Sequence, residues 1–457
     1  MRLKVLNIDD VAAAQLCTGC GVCSYISPDE IEMVDVLGHG RRPRVAANPP
    51  RDARSDEAMQ ACPGVALEHT FDAADPELDA SLTAEWGPVL EVWEGYAGDQ
   101  AIRHAGSSGG AATALALFGI EQGEMKGVLH TAARDDVPYL NKTVFSTHRD
   151  QLLAATGSRY APASPCDGLS HIEQADGPCV FIGKPCDVAA TQQTARLRPA
   201  LAERLGLTIG FFCAGTPSTQ GTLEMLKSMG VDHPEQLVSL RYRGNGWPGR
   251  ATAEFRTPNG ERETRQLTYG QSWGGILQKH RQWRCYICPD HTGEFADIAV
   301  GDPWYRGVPD DEPGRSLIVV RTRRGRAYLQ AAAKAGYITL ERQDAQLLPA
   351  SQPNLLQTRG NVWGRVQTLR WLGVPAPRFV RLPMFGAWWS ALTWKQKAQS
   401  FLGTMKRIVR RGLRRRTAMM PFTPTVAGAG QHAAAEQADA SLLPMGSADA
   451  VERKGNA

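Results

Sequence analysis

Residues 180–187 read Val-Phe-Ile-Gly-Lys-Pro-Cys-Asp, an apolar run that breaks at glycine and proline before a helical pattern begins. A buried strand, a short loop and a helix form the repeating unit of α/β folds. The next apolar run, Thr208–Phe212, ends in the same way at Cys213. Because ligands gather outside the carboxyl ends of parallel strands, Cys186 and Cys213 are predicted to lie at one edge of a sheet.

The same alternation of short apolar runs and helical patterns continues on both sides of this stretch, and it predicts an α/β (α+β) core. The strand candidates are Val89–Ala97, Gly127–Thr131, Cys179–Gly183, Leu207–Phe212, Asp297–Gly301 and Leu317–Arg321. The helix candidates are Ser108–Gln122, Asp187–Leu197, Thr219–Met229, Ser272–His280 and Gly325–Ala335. Residues 239–266 have the pattern of antiparallel strands with tight turns.

At 457 residues the chain exceeds one ordinary core, so two or three domains are expected. We expect an N-terminal iron–sulfur module at 1–75, a cofactor-binding core at 89–350, a helical basic extension at 360–416 and a disordered tail at 422–457. No apolar run is long enough to span a bilayer, and the N-terminus has no apolar signal region. These features predict a cytoplasmic protein.

Ten cysteines are the most informative residues, because clustered thiols in a reducing compartment indicate metal sites rather than disulfides. Cys17, Cys20 and Cys23 have the C-x2-C-x2-C spacing of bacterial ferredoxins. That spacing lets three thiolates bind three irons of one cubane. A zinc site is the alternative, although zinc ribbons usually combine two CxxC pairs.

A fourth thiol for this site is expected from further along the chain. In two-cluster ferredoxins a cysteine before a proline follows the first three, but here Ser27 stands before Pro28. A second ferredoxin-type cluster is therefore not expected, and the distal pair Cys62-Pro63 is predicted to complete the first. We call this set the N-terminal quartet: Cys17, Cys20, Cys23 and Cys62.

A second set of four cysteines combines the two strand ends with Cys285-Tyr-Ile-Cys288. Such a set could close a four-sulfur site at the sheet edge, yet an isolated cysteine at either strand end is equally well explained as a small buried apolar residue. From spacing alone both interpretations stay open. We call this set the core quartet: Cys186, Cys213, Cys285 and Cys288.

The core quartet and the residues around it resemble one known family. The strings Gly183-Lys-Pro-Cys-Asp187, Phe212-Cys213, Cys285-x-x-Cys-x-Asp290, Ala296-Asp-Ile298 and Gly301-Asp302 occur in this order. They resemble the beta subunits of coenzyme F420-reducing hydrogenases and dehydrogenases, a family that includes 7-hydroxymethyl chlorophyll a reductase and a divinyl chlorophyllide reductase. The resemblance covers roughly residues 10 to 350. It implies an FAD-binding core, a [4Fe–4S] cluster on the core quartet and, in longer members, an N-terminal ferredoxin-like cluster.

A glycine- and serine-rich turn is the first candidate for flavin binding. Before an apolar helix, such a turn presents free amides and the positive end of the helix dipole, which suit a pyrophosphate, although an ordinary helix start explains the pattern equally well. The resemblance assigns FAD to this turn and to a second segment, in which Arg159 would pair with the pyrophosphate and Tyr160 would pack on a ring. The candidates are Gly106, Ser107, Ser108, Gly109, Gly110, Gly157, Ser158, Arg159 and Tyr160.

Lys184 and Asp187 are the candidate catalytic residues. Lys184 lies two positions before Cys186, so it is expected between cluster and flavin, where a cation would stabilise the reduced flavin. A solvent-facing lysine is the alternative. The GxGxxG match at 244–249 lies between strand patterns and contains Pro248, so it predicts a turn rather than a nicotinamide site.

The segment 385–416 combines apolar residues at helical spacing with cations. Lys395–Arg416 holds nine Lys or Arg and no acid, and subtracting these from the net charge of +4 leaves the rest of the chain at −5. This pattern is typical of a helix at a membrane surface. Docking on the acidic body of the same chain is the alternative, and nucleic acid is not expected as a partner.

We therefore expect an iron–sulfur flavoprotein oxidoreductase. Electrons would pass from a ferredoxin or a redox partner subunit through two [4Fe–4S] clusters to FAD and on to an unidentified small-molecule substrate. One alternative is a beta subunit that reduces coenzyme F420, a deazaflavin. A zinc-stapled, non-catalytic, membrane-associated scaffold is the alternative from another class.

Overall fold

The structure, a computed structural model, describes residues 3–46, 53–307 and 312–425. Within these residues the strands are β1 Ile31–Val36, β2 Gly40–Val45, β3 Ala66–Glu68, β4 Glu91–Ala97, β5 Val128–Ala133, β6 Asn141–Ser146, β7 Cys179–Gly183, β8 Leu205–Phe211, β9 Leu237–Arg241, β10 Arg250–Arg256, β11 Arg262–Thr268, β12 Ile298–Gly301, β13 Ser316–Val320, β14 Ile338–Arg342 and β15 Arg378–Val380.

The α-helices of the same described residues are α1 Ile8–Ala13, α2 Val22–Ile26, α3 Ala53–Ala61, α4 Ala80–Trp86, α5 Gln100–Ala105, α6 Ala111–Glu121, α7 Arg149–Ala154, α8 Ser170–Glu173, α9 Pro185–Leu197, α10 Pro199–Arg204, α11 Thr219–Ser228, α12 Trp283–Tyr286, α13 Arg323–Lys334, α14 Leu347–Ser351, α15 Leu355–Trp371, α16 Phe385–Ser390 and α17 Trp394–Arg410. The expected helix over residues 272–280 is instead a π-helical turn, Gly270–Ile276, followed by a 3-10 turn, Leu277–His280.

An eight-stranded mixed sheet forms the centre of the molecule, with the order β14-β4-β13-β12-β8-β7-β5-β6. Its central strands β12, β8, β7 and β5 run parallel, while antiparallel pairs close both sides. Every residue of β7 is buried, as expected for a strand covered on both faces. The predicted α/β core is confirmed.

Helices cover both faces of this sheet. Successive side chains of each strand point to opposite faces, so one strand packs against helices on both sides. Val180 and Ile182 pack with α6 and α13 on one face, whereas Phe181 packs with α9 on the other. Helix α9 begins at Pro185, two residues before the expected start at Asp187. The reason is that proline suits the first helical position. In addition, the Asp187 carboxylate accepts a hydrogen bond from the Lys184 N–H, as in a capping box.

The N-terminal segment shares its hydrophobic core with the rest of the chain. Val11 and Leu16 belong to the same buried cluster as Val188 of α9, Val362 of α15 and Ile408 of α17. In addition, β3 pairs in parallel with β15. The N-terminal segment is therefore part of a common core, since its apolar residues pack against elements that are distant in sequence.

Two further regions flank the sheet. The antiparallel sheet β11-β10-β9 agrees with the strand pattern read in residues 239–266. At the C-terminal end, α15, α16 and α17 pack together, with Gly364 of α15 against Ser400 of α17. No helix of the described residues is long and apolar enough to cross a membrane. Residues 426–457 of the expected disordered tail lie outside the described residues.

Candidate cofactor site at the sheet edge

The carboxyl ends of three parallel strands meet at one cavity. Strands β7, β8 and β12 run in the same direction, and the residues that follow them include Lys184, Cys213 and Asp302. All three line a cavity of about 330 Å³, within the usual size of cofactor pockets. This placement agrees with the rule that ligands bind at the carboxyl edge of an open α/β sheet.

The core quartet lies beside this cavity. Burial, together with the nearby Cys285 and Cys288, raises the pKa of Cys213 to about 12, so these thiols are close neighbours. Burial raises the pKa of Cys186 well above its usual range, and Cys213 and Cys288 add to this rise, so Cys186 lies near both. The structure therefore brings together four thiols, the first and last of which, Cys186 and Cys288, are 102 positions apart in the sequence. Four neighbouring thiols suit a metal cluster.

Main-chain amides already point at two of these sulfurs. The Gly215 N–H donates to Cys213 Sγ at 3.4 Å, and the Thr216 N–H donates to Cys285 Sγ at 3.3 Å. Hydrogen bonds of this type stabilise thiolates and tune iron–sulfur centres. The donor set of the core quartet thus fits a [4Fe–4S] cluster.

The N-terminal quartet is a second group of neighbouring thiols, and all four are buried. Burial raises the pKa of Cys23 well above its usual range, and the other three cysteines raise it further. The Gly19 N–H donates to Cys17 Sγ at 3.3 Å. The backbone at this position has a φ of +79°, which glycine adopts easily. The same kind of donor set is therefore present at both quartets.

A single-ion site does not describe either quartet in its present geometry. Among residues 3–46, 53–307 and 312–425, no three His, Cys, Asp or Glu side chains converge on a point where one metal ion could sit.

Cys166 lies between the N-terminal quartet and the core. Its amide donates to the Cys20 carbonyl at 2.9 Å, and its thiol donates to the Asp187 carbonyl at 3.4 Å. The neighbouring Cys166 thiol is the main cause that lowers the pKa of Cys20. Cys166 is fully buried, as expected for a structural cysteine.

The glycine turn, Gly106–Gly110, forms another wall of the cavity and leads into α6. Gly109 and Gly110 have φ values of +71° and +69°, which only glycine adopts easily. A Cβ on Gly109 would lie 2.7 Å from the Gly314 carbonyl oxygen. Glycine is therefore required here both by backbone conformation and by space.

The second predicted flavin segment touches the first. The Ser107 hydroxyl accepts a hydrogen bond from the Ser158 N–H at 2.8 Å, and both residues line the cavity. Gly157 and Tyr160 line it as well. The structure thus brings together the two segments that the resemblance assigned to FAD.

Arg159 lines the cavity, but its guanidinium is held by the protein itself. It donates to the Asn141 side chain at 2.8 Å and to the carbonyls of Leu240 at 2.8 Å and Pro138 at 2.7 Å. These contacts show that Arg159 supports the cavity wall. Its pairing with a pyrophosphate stays a prediction.

Lys184 and Asp187 form a buried ion pair. Lys184 Nζ lies 2.5 Å from Asp187 Oδ2, and the Asp187 side chain is almost fully buried. Burial alone would lower the pKa of Lys184, but the Asp187 carboxylate and the Cys186 thiol outweigh it and raise that pKa. Lys184 therefore stays charged, although Asp187 compensates part of the charge that was expected to face a flavin.

The remainder of the wall is aromatic, and sequence reasoning did not single it out. Tyr160 packs 5.0 Å from Trp273, and Tyr269 stacks 5.4 Å from Trp304 between ring centres. Tyr269 and Trp273 come from the turn after β11 and Trp304 from the loop after β12, which no local motif connects. The missed cavity residues include His130, Tyr269, Trp273, His291 and Trp304.

Asp302 is the polar residue that ties this wall together. It was visible in the sequence only as the end of the Gly301-Asp302 string. Its carboxylate accepts from Ser108 Oγ at 2.5 Å, from Trp247 Nε1 at 2.7 Å and from both terminal nitrogens of Arg243. An acidic residue directly after a buried strand was the signal that could have identified it.

Comparisons with known proteins identify the same region. Residues 92–170 match the model of the coenzyme F420 hydrogenase/dehydrogenase beta subunit N-terminal domain, and residues 178–346 match that of its C terminus. Together these ranges span more than half of the chain. The core quartet lies within them, whereas the N-terminal quartet lies outside.

Several archaeal proteins are similar over much of their length. The beta subunit of F420-dependent formate dehydrogenase 1 from Methanococcus maripaludis is 26% identical over 249 residues, covering 54% of this chain and 60% of the relative. The match thus spans less than two thirds of that subunit. The coenzyme F420 hydrogenase subunit beta from Methanococcus voltae is 25% identical, covering 61% of this chain and 94% of the relative.

A solved structure is also similar. A chain of the F420-reducing [NiFe] hydrogenase complex from Methanosarcina barkeri has a TM-score of 0.47 and 21% identity, covering 62% of this chain and 94% of that chain. Both domain models of one family match this chain in order, and its relatives are named as beta subunits of F420-dependent enzymes. The chain therefore belongs to the coenzyme F420 hydrogenase/dehydrogenase beta-subunit family, whose members are oxidoreductase subunits.

Proposed function

We propose that this chain is the beta-type subunit of an oxidoreductase and that its cavity transfers a hydride between FAD and coenzyme F420. The observation that carries the proposal is that Cys213 of the core quartet, the glycine turn and an aromatic wall line one cavity at the carboxyl edge of the sheet. The names of the relatives favour F420 over the unidentified substrate that the sequence suggested.

The chain's own residues support the binding of these cofactors. The two quartets would hold [4Fe–4S] clusters, and the glycine turn with residues 157–160 would hold FAD. When bound, such groups carry single electrons and exchange hydrides, respectively. The Gly109 and Gly110 backbone and the Ser107–Ser158 contact shape the wall, while Tyr269 and Trp304 offer flat surfaces for a ring.

Lys184 and Asp187 are proposed to act as a fixed pair beside the flavin. The capped start of α9 fixes the Asp187 carboxylate, which in turn holds Lys184 Nζ at 2.5 Å. A cation held at this place favours extra electron density on a neighbouring ring. The pair would therefore stabilise a reduced flavin without requiring a proton to move.

The partner and the compartment are proposals of the same kind. A ferredoxin or a redox partner subunit would deliver or accept electrons at the N-terminal quartet. The formate dehydrogenase and hydrogenase names of the relatives are names of subunits, which favours a partner subunit over a free carrier. We propose a cytoplasmic location for the assembled protein.

Reduction of F420 by the anaerobic protein tests this function. Protein reduced with dithionite is mixed with oxidised F420, and loss of the visible F420 band is followed over time. We expect rapid loss in the wild type and a KM raised about tenfold in Trp304→Leu, because a ring contact in the cavity is removed. Trp371→Leu is the matched control, since Trp371 is 69% exposed and does not line the cavity. No reduction by FAD- and iron-loaded wild type would contradict the proposal.

A membrane contact is the second candidate function, and one observation favours it. Helix α17 buries Lys397, Ser400, Thr404 and Ile408 against the body, yet it leaves large apolar residues in solvent, with Trp394 77% and Val409 81% exposed. Exposed apolar residues grouped on one helix mark a contact site.

The positive charge of residues 385–416 favours an anionic membrane as the partner. Residues 385–416 contain no acid, and their exposed cations flank the apolar side. Each cation contributes about 1 kcal/mol near an anionic membrane, and burial of the tryptophans adds to this. We therefore propose peripheral contact with an anionic membrane. Part of the segment also docks on the same chain, since Arg416 pairs with Asp9 at 2.5 Å.

Flotation with vesicles tests this contact. Full-length protein should float with anionic vesicles and not with neutral ones, and the combined change Trp394→Ser, Leu402→Ser and Val409→Ser should abolish flotation. Leu6→Ser is the control, because Leu6 is also exposed but lies outside the segment. Equal flotation of the triple variant would contradict the proposal. A wild-type dimer that the triple variant dissociates would show that a second copy covers this face instead.

A further inference from the structure

Two arginines lie fully buried between the two quartets. Arg42, on β2, is 1% exposed, and Arg284, on α12, is 2% exposed. Within the described residues neither forms an ion pair with a carboxylate, and each donates only to neutral oxygen atoms. Buried cations without an opposite charge are rare because desolvation is costly.

Arg42 reaches from the N-terminal quartet toward the core quartet. On one side its Nη1 would lie 3.4 Å from a Cβ on Gly19, whose amide donates to Cys17 Sγ. On the other side its Nη2 donates to Gln282 Oε1 at 2.7 Å. The Gln282 carbonyl in turn accepts the Cys285 N–H at 3.1 Å.

Arg284 also connects the two quartets, but it lies beside the core quartet and reaches toward the N-terminal quartet. Its Nη2 donates to the Pro63 carbonyl at 3.0 Å, and Pro63 directly follows Cys62 of the N-terminal quartet. Its Nη1 donates to the Ile287 carbonyl at 3.4 Å, and Ile287 precedes Cys288 of the core quartet. Both arginines therefore touch the loops of both quartets.

The quartets supply the opposite charge that the arginines lack. Arg42 interacts electrostatically with Cys17 and Cys285, one cysteine of each quartet. In the part of the chain that the structure describes, the Nε of both arginines also has no hydrogen-bond partner. Four thiolates around an iron–sulfur core leave a net negative charge, and nearby charge sets the potential of such a centre.

We propose that Arg42 and Arg284 form a shared cationic bridge that raises the reduction potentials of both clusters together. This inference rests on the proposed function, since it requires clusters on both quartets. Reduction adds negative charge, so a buried cation favours the reduced form of a neighbouring cluster. Because each arginine contacts both loops, one bridge acts on both centres.

A redox titration followed by electron paramagnetic resonance tests the bridge on the anaerobic, cluster-loaded full chain. In Arg42→Gln and in Arg284→Gln, the ratio of reduced to oxidised cluster at a fixed potential should fall at least tenfold for both signals. For a one-electron couple that is a shift of about 59 mV to lower potential. Arg42→Lys, which keeps the charge, should change the ratio less than threefold.

Arg321→Gln is the matched control, because Arg321 is equally buried and also donates to main-chain carbonyls, but its nearest charges are Glu294 and Asp290. It should change neither ratio by more than threefold. Unchanged ratios in both Gln variants, or a shift of one signal alone, would overturn the bridge. If the Gln variants lose iron, a tenfold fall in iron-loaded Arg42→Lys would overturn it as well. A wild type without cluster signals would instead contradict the proposed function.

Discussion

Asp302 accepts two hydrogen bonds from Arg243, at 2.8 and 2.5 Å, and thereby joins the end of the central sheet to the antiparallel sheet across the cavity wall. Asp302 follows β12, and Arg243 follows β9. The same carboxylate holds Ser108 of the glycine turn, so three separate segments depend on one acidic residue. The shape of the cavity is therefore set by a buried ion pair rather than by apolar packing alone.

Asp302→Ala should destabilise the protein and weaken flavin binding. Removing one partner of a buried pair leaves Arg243 uncompensated, which costs about 3 kcal/mol in the free energy of unfolding. Urea denaturation and flavin retention measure these effects. Asp135→Ala is the control, since Asp135 pairs with Lys142 at the surface, and it should cost less than about 1 kcal/mol. Full flavin retention in Asp302→Ala would contradict the role of Asp302.

The same ion pair predicts a response to acid. Burial would raise the pKa of Asp302, but Arg243 outweighs it and lowers that pKa overall. The stabilisation is therefore present above the unfolded value of about 4 and is lost as the pH falls through the lower folded value. Asp302→Asn should lack this loss, which denaturation below pH 4 would detect.

Gly109→Ala should disrupt the flavin site while leaving both quartets loaded. The new Cβ meets the Gly314 carbonyl at 2.7 Å in a backbone conformation that disfavours alanine. Gly260→Ala is a matched control, because Gly260 has a φ of +83° but nothing lies within 4 Å of its Cβ position. The control should cost about 1–2 kcal/mol and keep its flavin. Flavin and iron assays of both variants measure the difference, and equal flavin loss would show that conformation rather than space decides.

Two buried histidines predict lower stability in mild acid. Burial lowers the pKa of His69 and of His130 to about 4, so both remain neutral when folded and bind protons when unfolded. Stability should therefore decrease as the pH falls from about 6.5 to about 4, by about 2 kcal/mol for each histidine between pH 7 and pH 5. His69→Gln should flatten this slope in denaturation curves, and an unchanged slope would contradict it.

The sequence predicted the strands that build the cavity because buried parallel strands leave strong local patterns. Residues 180–187 gave strand, loop and helix almost in register, and only the start of α9 differed, since proline and a capping box moved it forward. The glycine turn was equally visible, because positive φ values demand glycine locally.

Contacts between distant segments were not predictable in the same way. The ion pair between Arg243 and Asp302 depends on how two sheets meet, and no local spacing encodes it. The same is true of Arg42 and Arg284, which look like ordinary surface arginines in the sequence but become buried where the N-terminal segment joins the core. The hydrogen bonds of Arg159 to Asn141, Leu240 and Pro138 are a third example, since they join segments that are distant in sequence.

The iron content of anaerobic protein tests the central claim most directly. Wild type should contain about eight irons and one FAD per chain, because two four-thiolate sites each hold a [4Fe–4S] cluster. Cys20→Ala and Cys186→Ala should each lose about half of the iron, and only Cys186→Ala should also disturb FAD, since Cys186 lies beside the cavity residue Lys184. Four irons in the wild type would show that one quartet holds no cluster, and zinc in place of iron would contradict the proposed electron-transfer function.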